Sequence, residues 1–366
     1  MFFYRKKNIR SNYLMPHKSM DVSYWINTFK SIGIGTTGGF IAYKLNMPLP
    51  WLLGALFLNF FFSFSKIKLE FSKKLLNPIF LIIGIILGGT FNATLLYKVN
   101  LWIYSSIAMV LFVIVSTFLV SLYLIKICNF KKITAILAAL PGAFMPIVST
   151  LDEIKNTEDH KKVIITQATR VIFIVSFVPF FFNFNLGKAK LDTMNKDYFF
   201  DFNFLTQIGV LIILSYLFSL LLKKIKIPSP TLLSGMFVSG FFYTTEIISA
   251  RFPDLGINII FILLGTALGT RLNGLTIKEL FNYLFHGLII SGILISISLF
   301  FAYFLSLILG FDFLNAFLSF APGGIHEMVI ISYAYEIDPI FISYHHFFRL
   351  IVIVVCLPVI FKIMNK

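Results

Sequence analysis

Lys44 to Leu56 reads KLNMPLPWLLGAL, and Lys224 to Met236 reads KIKIPSPTLLSGM. The Pro-x-Pro that precedes Leu-Leu recurs 180 residues later, from Pro48 to Pro228. Further landmarks repeat in the same order. Gly84 to Asn92 (GIILGGTFN) matches Gly265 to Asn273 (GTALGTRLN), and Pro141-Gly142-Ala143 matches Pro322-Gly323-Gly324, both at a spacing of 181. Arg170 with Pro179 matches Arg349 with Pro358 at 179. Ordered landmarks at nearly constant spacing make the chain an internal duplication. The expected organisation is a lead-in at 1–22, a first repeat at 23–188, a linker at 189–202 and a second repeat at 203–366.

Of 366 residues, 58% are apolar and 13% charged, with a mean hydropathy of +0.88. A soluble domain carries about 25% charged residues, so a soluble enzyme, a disordered chain and a disulfide scaffold are excluded. Stretches 101–125 and 281–309 carry almost no charge, and about 20 such residues cross a hydrocarbon core of about 30 Å as helix. The expected fold is an all-α polytopic membrane protein with the lipid bilayer as its first partner. The net charge of +15 does not signal nucleic acid, because Lys and Arg sit at the ends of apolar runs, the bias that fixes cytoplasmic loops. Arg5, Lys6, Lys7, Arg10 and Lys18 lie in a stretch without an apolar core or cleavage-like pattern. It reads as a cytoplasmic lead-in rather than a cleaved signal. Cys128 and Cys356 have neither disulfide nor metal spacing and read as packing residues.

Each half shows six apolar stretches, which alone would set both halves the same way up. The charges argue otherwise. Lys66, Lys68, Lys73 and Lys74, then Lys126, Lys131 and Lys132, mark the second and fourth connections of the first half. Lys223, Lys224 and Lys226, then Arg271 and Lys278, mark the first and third of the second. With positive loops cytoplasmic, this one-step shift inverts the halves, and each must cross an odd number of times. One stretch per half therefore fails to span. The stretches 133–151 and 313–333 are each broken by Pro-Gly, which removes a helical hydrogen bond and weakens the helix. The expectation is about ten transmembrane helices plus two broken or re-entrant segments, an inverted internal repeat with both termini and the acidic connection at 152–162 cytoplasmic. Twelve full spans is the alternative count.

The candidate substrate-binding residues gather at these breaks: Pro141, Gly142, Gln167 and Arg170 in the first half, and Pro322, Gly323, Gly324, His326, Glu327, His346 and Arg349 in the second. Unwound backbone at membrane depth is tolerated where it lines a wet cavity or is buried in protein, and ionisable groups there point to function. Exposed amides at a half-helix start could hold an anion, while His326 or Glu327 could exchange a proton. Against this stands a structural reading in which Glu327 pairs with Arg349, with Asp338 nearby in sequence. The first-half equivalents Phe144, Met145 and Pro146 cannot titrate, so the expected site is asymmetric. Arg170 and Arg349 occupy equivalent places, with Gln167 matching His346, and could clamp a carboxylate or phosphate, snorkel, or pair with an acid. His345 and His346 with His326 and Glu327 could also be read as a metal site, although adjacent histidines point about 100° apart on a helix and do not chelate together, so only one of the two could join a shared centre; the expectation is no metal and no cofactor. Pro48, Pro50, Pro228 and Pro230 read as helix starts, Asn92 and Asn273 as caps. Gly33, Gly35, Gly38 and Gly39 suit close helix packing, and the 45 Phe residues suit a lipid-facing surface. His17, His160 and His286 show no partner pattern.

At MPLPWLLGA (47–55), IPSPTLLSG (227–235), APGGIHEM (321–328) and His346-x-x-Arg349 with Pro358 behind it, the chain resembles the AbrB family of bacterial membrane proteins. The resemblance covers nearly everything after residue 25. It departs at PGAFMP in the first half, where the family's Pro-Gly-Gly and polar stretch are missing. The resemblance implies a duplicated membrane domain and a transporter-like, multi-pass protein of the bacterial inner membrane. Family labels such as ammonia monooxygenase and regulator of gene expression find no support in the residues, which offer neither a convergent ligand set nor a DNA-reading module. The leading expectation is a secondary transporter of a small polar or anionic solute by alternating access, with proton or sodium coupling open, no nucleic-acid partner, and a homo-oligomer allowed. The competing expectations are a membrane-embedded metal-dependent enzyme and a membrane protein affecting gene regulation.

Overall fold

The computed structural model describes residues 22–65, 67–91, 95–142, 147, 157–187, 189, 202–225, 227–250, 252–273 and 275–364. The lead-in before Val22, nearly all of the expected linker, the first part of the acidic connection, His17, Asn92, and Phe144, Met145 and Pro146 lie outside the described residues. The helices run α1 Val22–Lys44, α2 Pro50–Phe62, α3 Lys73–Gly88, α4 Leu95–Lys126, α5 Lys132–Ala139, α6 Thr157–Leu186, α7 Phe202–Lys224, α8 Pro230–Thr244, α9 Asp254–Gly269, α10 Ile277–Leu309, α11 Phe313–Phe320, α12 Ile325–Ala334 and α13 Pro339–Met364. A short 3₁₀ turn, Thr270–Leu272, extends α9.

The repeated Pro-x-Pro starts equivalent helices in the same way. Pro50 and Pro230 are the first helical residues, where a missing amide costs nothing and the fixed φ suits the helix. The residue between the prolines turns the chain through the left-handed region in both copies, Leu49 at φ 43° and Ser229 at φ 50°. α1 then packs against α2 backbone to backbone. A Cβ at Gly38 would lie 2.3 Å from the Gly54 carbonyl oxygen, and one at Gly54 would lie 2.2 Å from that of Gly38. Without a hydrophobic drive between helices in lipid, such close approach is what holds them.

The two halves exchange partners. α2 of the first half lies on α9 of the second, and α3 of the first lies on α8 of the second. A Cβ at Gly84 would meet the Leu232 carbonyl oxygen at 2.1 Å, and one at Gly265 would meet that of Leu52 at 2.2 Å. One turn on, Gly88 faces the Met236 carbonyl and Gly269 that of Leu56. Every member of one contact has its repeat equivalent in the other, so the interface is two-fold and self-complementary. Together α1, α2, α3, α7, α8 and α9 form a glycine-packed bundle, while α4, α5, α6 and α10 to α13 form a second bundle carrying the broken helices.

The equivalent helices α4 and α10 show that the repeat is inverted. Tyr123, near the end of α4, bonds His286 Nδ1, near the start of α10, at 2.7 Å. Phe112, further back in α4, stacks edge-on against Phe301, further along α10, with ring centroids 5.7 Å apart. The two helices therefore run antiparallel. Lys131 pairs with Asp159 at 3.0 Å, and Lys161 with Glu279, so the end of α4 and the starts of α5, α6 and α10 share one basic end of the molecule. This matches the charge shift read from the sequence.

Six described helices, α4, α6, α7, α9 with its 3₁₀ turn, α10 and α13, contain segments long and apolar enough to cross a membrane. With α1, α2, α3 and α8 they make ten described helices beside the interrupted segments α5 and α11–α12, the arrangement expected. α2, α3 and α8 have 13, 16 and 15 residues, rising about 20 to 24 Å, because proline or a lysine-bearing turn starts each and small residues or turns end them. Phe61, Phe118, Phe281, Phe285 and Phe300 point outward and are exposed, as lipid-facing residues are. Cys356 is exposed and Cys128 half-buried.

Candidate functional site

The site is built from two interrupted helices with one local geometry. α5 ends before Leu140 (φ −53°, ψ 122°) and α11 before Ala321 (φ −54°, ψ 128°). Each of these residues precedes a proline, whose ring excludes the helical region for its neighbour. Each helix is thus stopped inside protein, with its last carbonyls unpaired, a costly state at membrane depth.

Two arginines supply the missing donors. Arg170 Nη1 donates to Leu140 O at 3.1 Å and Ala139 O at 3.4 Å, and Arg349 Nη1 donates to Ala321 O at 2.8 Å, with Nη2 to Gly323 O at 2.9 Å. One turn earlier in each closing helix, Gln167 Nε2 donates to Leu137 O at 2.7 Å and His346 Nε2 bonds Leu318 O at 3.0 Å. Both guanidinium groups are 1% exposed. A cation at a helix C-terminus is favoured by the peptide dipoles, so burial here is matched by carbonyl dipoles. This removes two of the alternatives the sequence left open. Arg349 is not the partner of Glu327, and neither arginine is paired with a described acid; each closes the frayed end of its own repeat's half-helix.

Hydrogen-bond logic fixes the histidine tautomers. Arg349 Nη2 lies 2.9 Å from His346 Nδ1, and a guanidinium only donates. Nδ1 therefore accepts, Nε2 carries the proton toward Leu318 O, and His346 is neutral. His345 Nδ1 donates to Phe341 O, and its Nε2 shares a hydrogen bond with Ser105 Oγ, both at 2.7 Å. The two rings serve different partners. Among the described residues no group of three or more His, Cys, Asp or Glu is placed to hold a metal ion.

The two breaks touch. Gly142 has φ 73°, and a Cβ there would lie 2.2 Å from Arg349 Nη2. The first-half break is thus pressed against the arginine that closes the second. The halves differ in satisfaction: Gln167 Oε1, Arg170 Nε and Arg170 Nη2 are buried without a partner among the described residues, where in the second half Arg349 bonds Gly323 O and His346.

His326 and Glu327 lie elsewhere, at the seam between the bundles. Glu327 occupies the first turn of α12 and is buried, and its Oε1 pairs with Arg271 of the 3₁₀ turn at 3.6 Å. Its Oε2 is buried without a partner and folds over Gly324, where a Cβ would lie 2.0 Å from it. The Glu327 carboxylate thus lies against the start of its own helix, α12. The His326 ring stacks on Phe80 of α3, centroids 3.4 Å apart and 13° off parallel, with Nε2 buried and unpartnered. The sequence-derived residues thus fall into two groups: Pro141, Gly142, Gln167, Arg170, Pro322, Gly323, His346 and Arg349 at the crossing of the breaks, and Gly324, His326 and Glu327 at the seam.

Arg271 and Phe80 were missed. Arg271 reads as a loop charge, although it replaces Thr90 of the first repeat directly behind an apolar helix, which was the available signal. Asp338 is a cap: its Oδ1 accepts from the amides of Ile340 and Phe341, both at 3.1 Å. Asn273 ends the 3₁₀ turn and donates to Leu69 O. His286 is not idle, being bonded to Tyr123.

This geometry defines a class: helical membrane proteins of two inverted halves, each interrupted at a buried Pro-Gly and knit together by exchanged helices. The sequence profile of a family described as "Transition state regulatory protein AbrB" matches residues 51–365. The chain belongs to the AbrB family. It is similar to the "Uncharacterized protein YhjN" of Bacillus subtilis (strain 168), at 24% identity over 91% of this chain and 92% of that protein.

Proposed function

We propose that this AbrB-family protein is a secondary transporter of the bacterial plasma membrane, moving a small polar or anionic solute by alternating access. The observation that carries the reading is the Glu327–Arg271 pair at 3.6 Å, a buried carboxylate of the broken-helix bundle set against a cation of the glycine-packed bundle. Inverted repeats with broken helices favour rocking of one bundle against the other around a fixed site. An ionised Glu327 latches the seam. When it takes a proton, the carboxylate leaves that pairing, a solute carboxylate or phosphate takes its place against Arg271, and the bundles shear. Proton coupling through Glu327 is the form favoured here over sodium. The arginines at the breaks hold the half-helices rigid and do not carry solute.

The other two readings have less support: the described residues gather no metal-binding side-chain cluster, and a regulatory role would act through this same membrane body. The test is uptake of a panel of small carboxylates, phosphates and amino acids into proteoliposomes under an imposed pH gradient. Wild type is expected to accumulate at least one solute, Glu327→Gln to lose gradient-driven accumulation, and Arg271→Gln to lose solute binding. Unaltered accumulation in both variants overturns the assignment.

A further inference from the structure

A second polar site lies away from the breaks, at the basic end of the molecule. A cavity of about 280 Å³ opens between the end of α4 and the starts of α6 and α10. Its polar lining includes Lys162, Thr166, Asn282 and His286. The Lys162 ammonium sits over the Phe130 ring at 5.4 Å, and the His286 ring is held by Tyr123. Gly287 brings α10 close to α6 beside the cavity, because a Cβ there would lie 2.7 Å from Thr169 Oγ1.

The cavity has two chemistries along one axis. Asn282 lies five residues into α10 and Ile290 thirteen, a rise of about 12 Å between them along the helix. Beside it, Ile127, Phe281, Phe285 and Leu288 are 56% to 68% exposed. An ammonium and an amide at the mouth with outward-facing apolar side chains alongside suit a ligand that has a phosphate at one end and hydrocarbon at the other. Lys131 is paired with Asp159 and Lys161 with Glu279, so Lys162 is the cation that the lining itself offers, and cytoplasmic leaflets are anionic.

We propose that this cavity binds the phosphate headgroup of an anionic phospholipid, with Lys162 as the principal anchor and the acyl chains laid along Phe281, Phe285 and Leu288. The glycerol-side oxygens meet Asn282 and the Tyr123–His286 pair. A lipid there wedges α4, α6 and α10 together, at the junction of the inverted halves. The site is independent of the transport reading.

Native mass spectrometry of the full chain, released from detergent after exposure to phosphatidylglycerol, phosphatidylcholine or inorganic phosphate, tests it. The expected result is a retained phosphatidylglycerol adduct absent with phosphatidylcholine, weakened about five-fold by Lys162→Gln, restored by Lys162→Arg, and unchanged by Lys126→Gln, a lysine at the same end that does not line the cavity. Equal loss in Lys162→Gln and Lys126→Gln would mean diffuse surface charge and overturn the proposal. So would equal retention of both lipids, or an inorganic phosphate adduct with the same dependence on Lys162, which would make this a free-anion site.

Discussion

At the scale of the residue, the two buried arginines do unequal work. Arg349 holds two carbonyls and His346, whereas Arg170 holds one carbonyl well and a second weakly. Replacing Arg349 with Met strands buried acceptors, at about 1–3 kcal/mol each. Equilibrium unfolding in detergent is expected to show Arg349→Met more destabilised than Arg170→Met; the reverse order would mean that the carbonyl bonds are not what these arginines contribute. Gly142→Ala is expected to be more harmful than its position in a loop implies, because it adds a Cβ at positive φ into the Arg349 guanidinium. Arg170, Gln167, His346 and Arg349 could be picked from sequence as equivalent pairs because duplication marks them. Their task could not, since a capping arginine and a substrate-binding arginine leave the same letter at the same place. The Glu327–Arg271 pair was hidden for another reason: its members lie 56 residues apart and in different bundles, and no periodicity records which helices exchange.

At the scale of the element, glycine decides the interface between the halves. Gly84 and Gly265 stand in equivalent contacts with the Leu232 and Leu52 carbonyls, near 2.1 and 2.2 Å from where a Cβ would be. Gly84→Ala and Gly265→Ala are therefore expected to destabilise by similar amounts, about 1–3 kcal/mol as for overpacked cores, while Gly33→Ala, with nothing within 4 Å, is neutral or mildly stabilising. Thermal unfolding of the three variants checks this, and a tolerant Gly84 beside an intolerant Gly265 would contradict the two-fold exchange. The sequence carried this layer well, because Pro-x-Pro and the Gly84/Gly265 runs are local signals with local causes. It carried helix length less well. Apolar composition continues past the ends of α2 and α8, so hydropathy does not show that these helices have only 13 and 15 residues.

At the scale of the molecule, inversion was legible because lysine placement responds to the membrane as a whole, and the antiparallel α4 and α10 bear it out. Tyr123→Cys with His286→Cys, in a Cys128→Ser and Cys356→Ala background, is expected to be cross-linked by a short bifunctional thiol reagent that replaces the span of the two side chains, joining the two repeats at their basic end. Division into a glycine-packed bundle and a broken-helix bundle was not legible, since each draws elements from both halves. The proposed transport reading takes the boundary between them, lined by Phe80, His326, Glu327 and Arg271, as the moving seam. The central claim is that this seam opens to both sides of the membrane in turn. It is tested most directly by placing a cysteine at His326, with Cys128→Ser and Cys356→Ala removing the native thiols, and labelling with a membrane-impermeant maleimide in right-side-out and inside-out vesicles. The account predicts labelling from both sides, with Arg271→Gln changing the balance between them. Labelling from one side alone, or from neither, would contradict it.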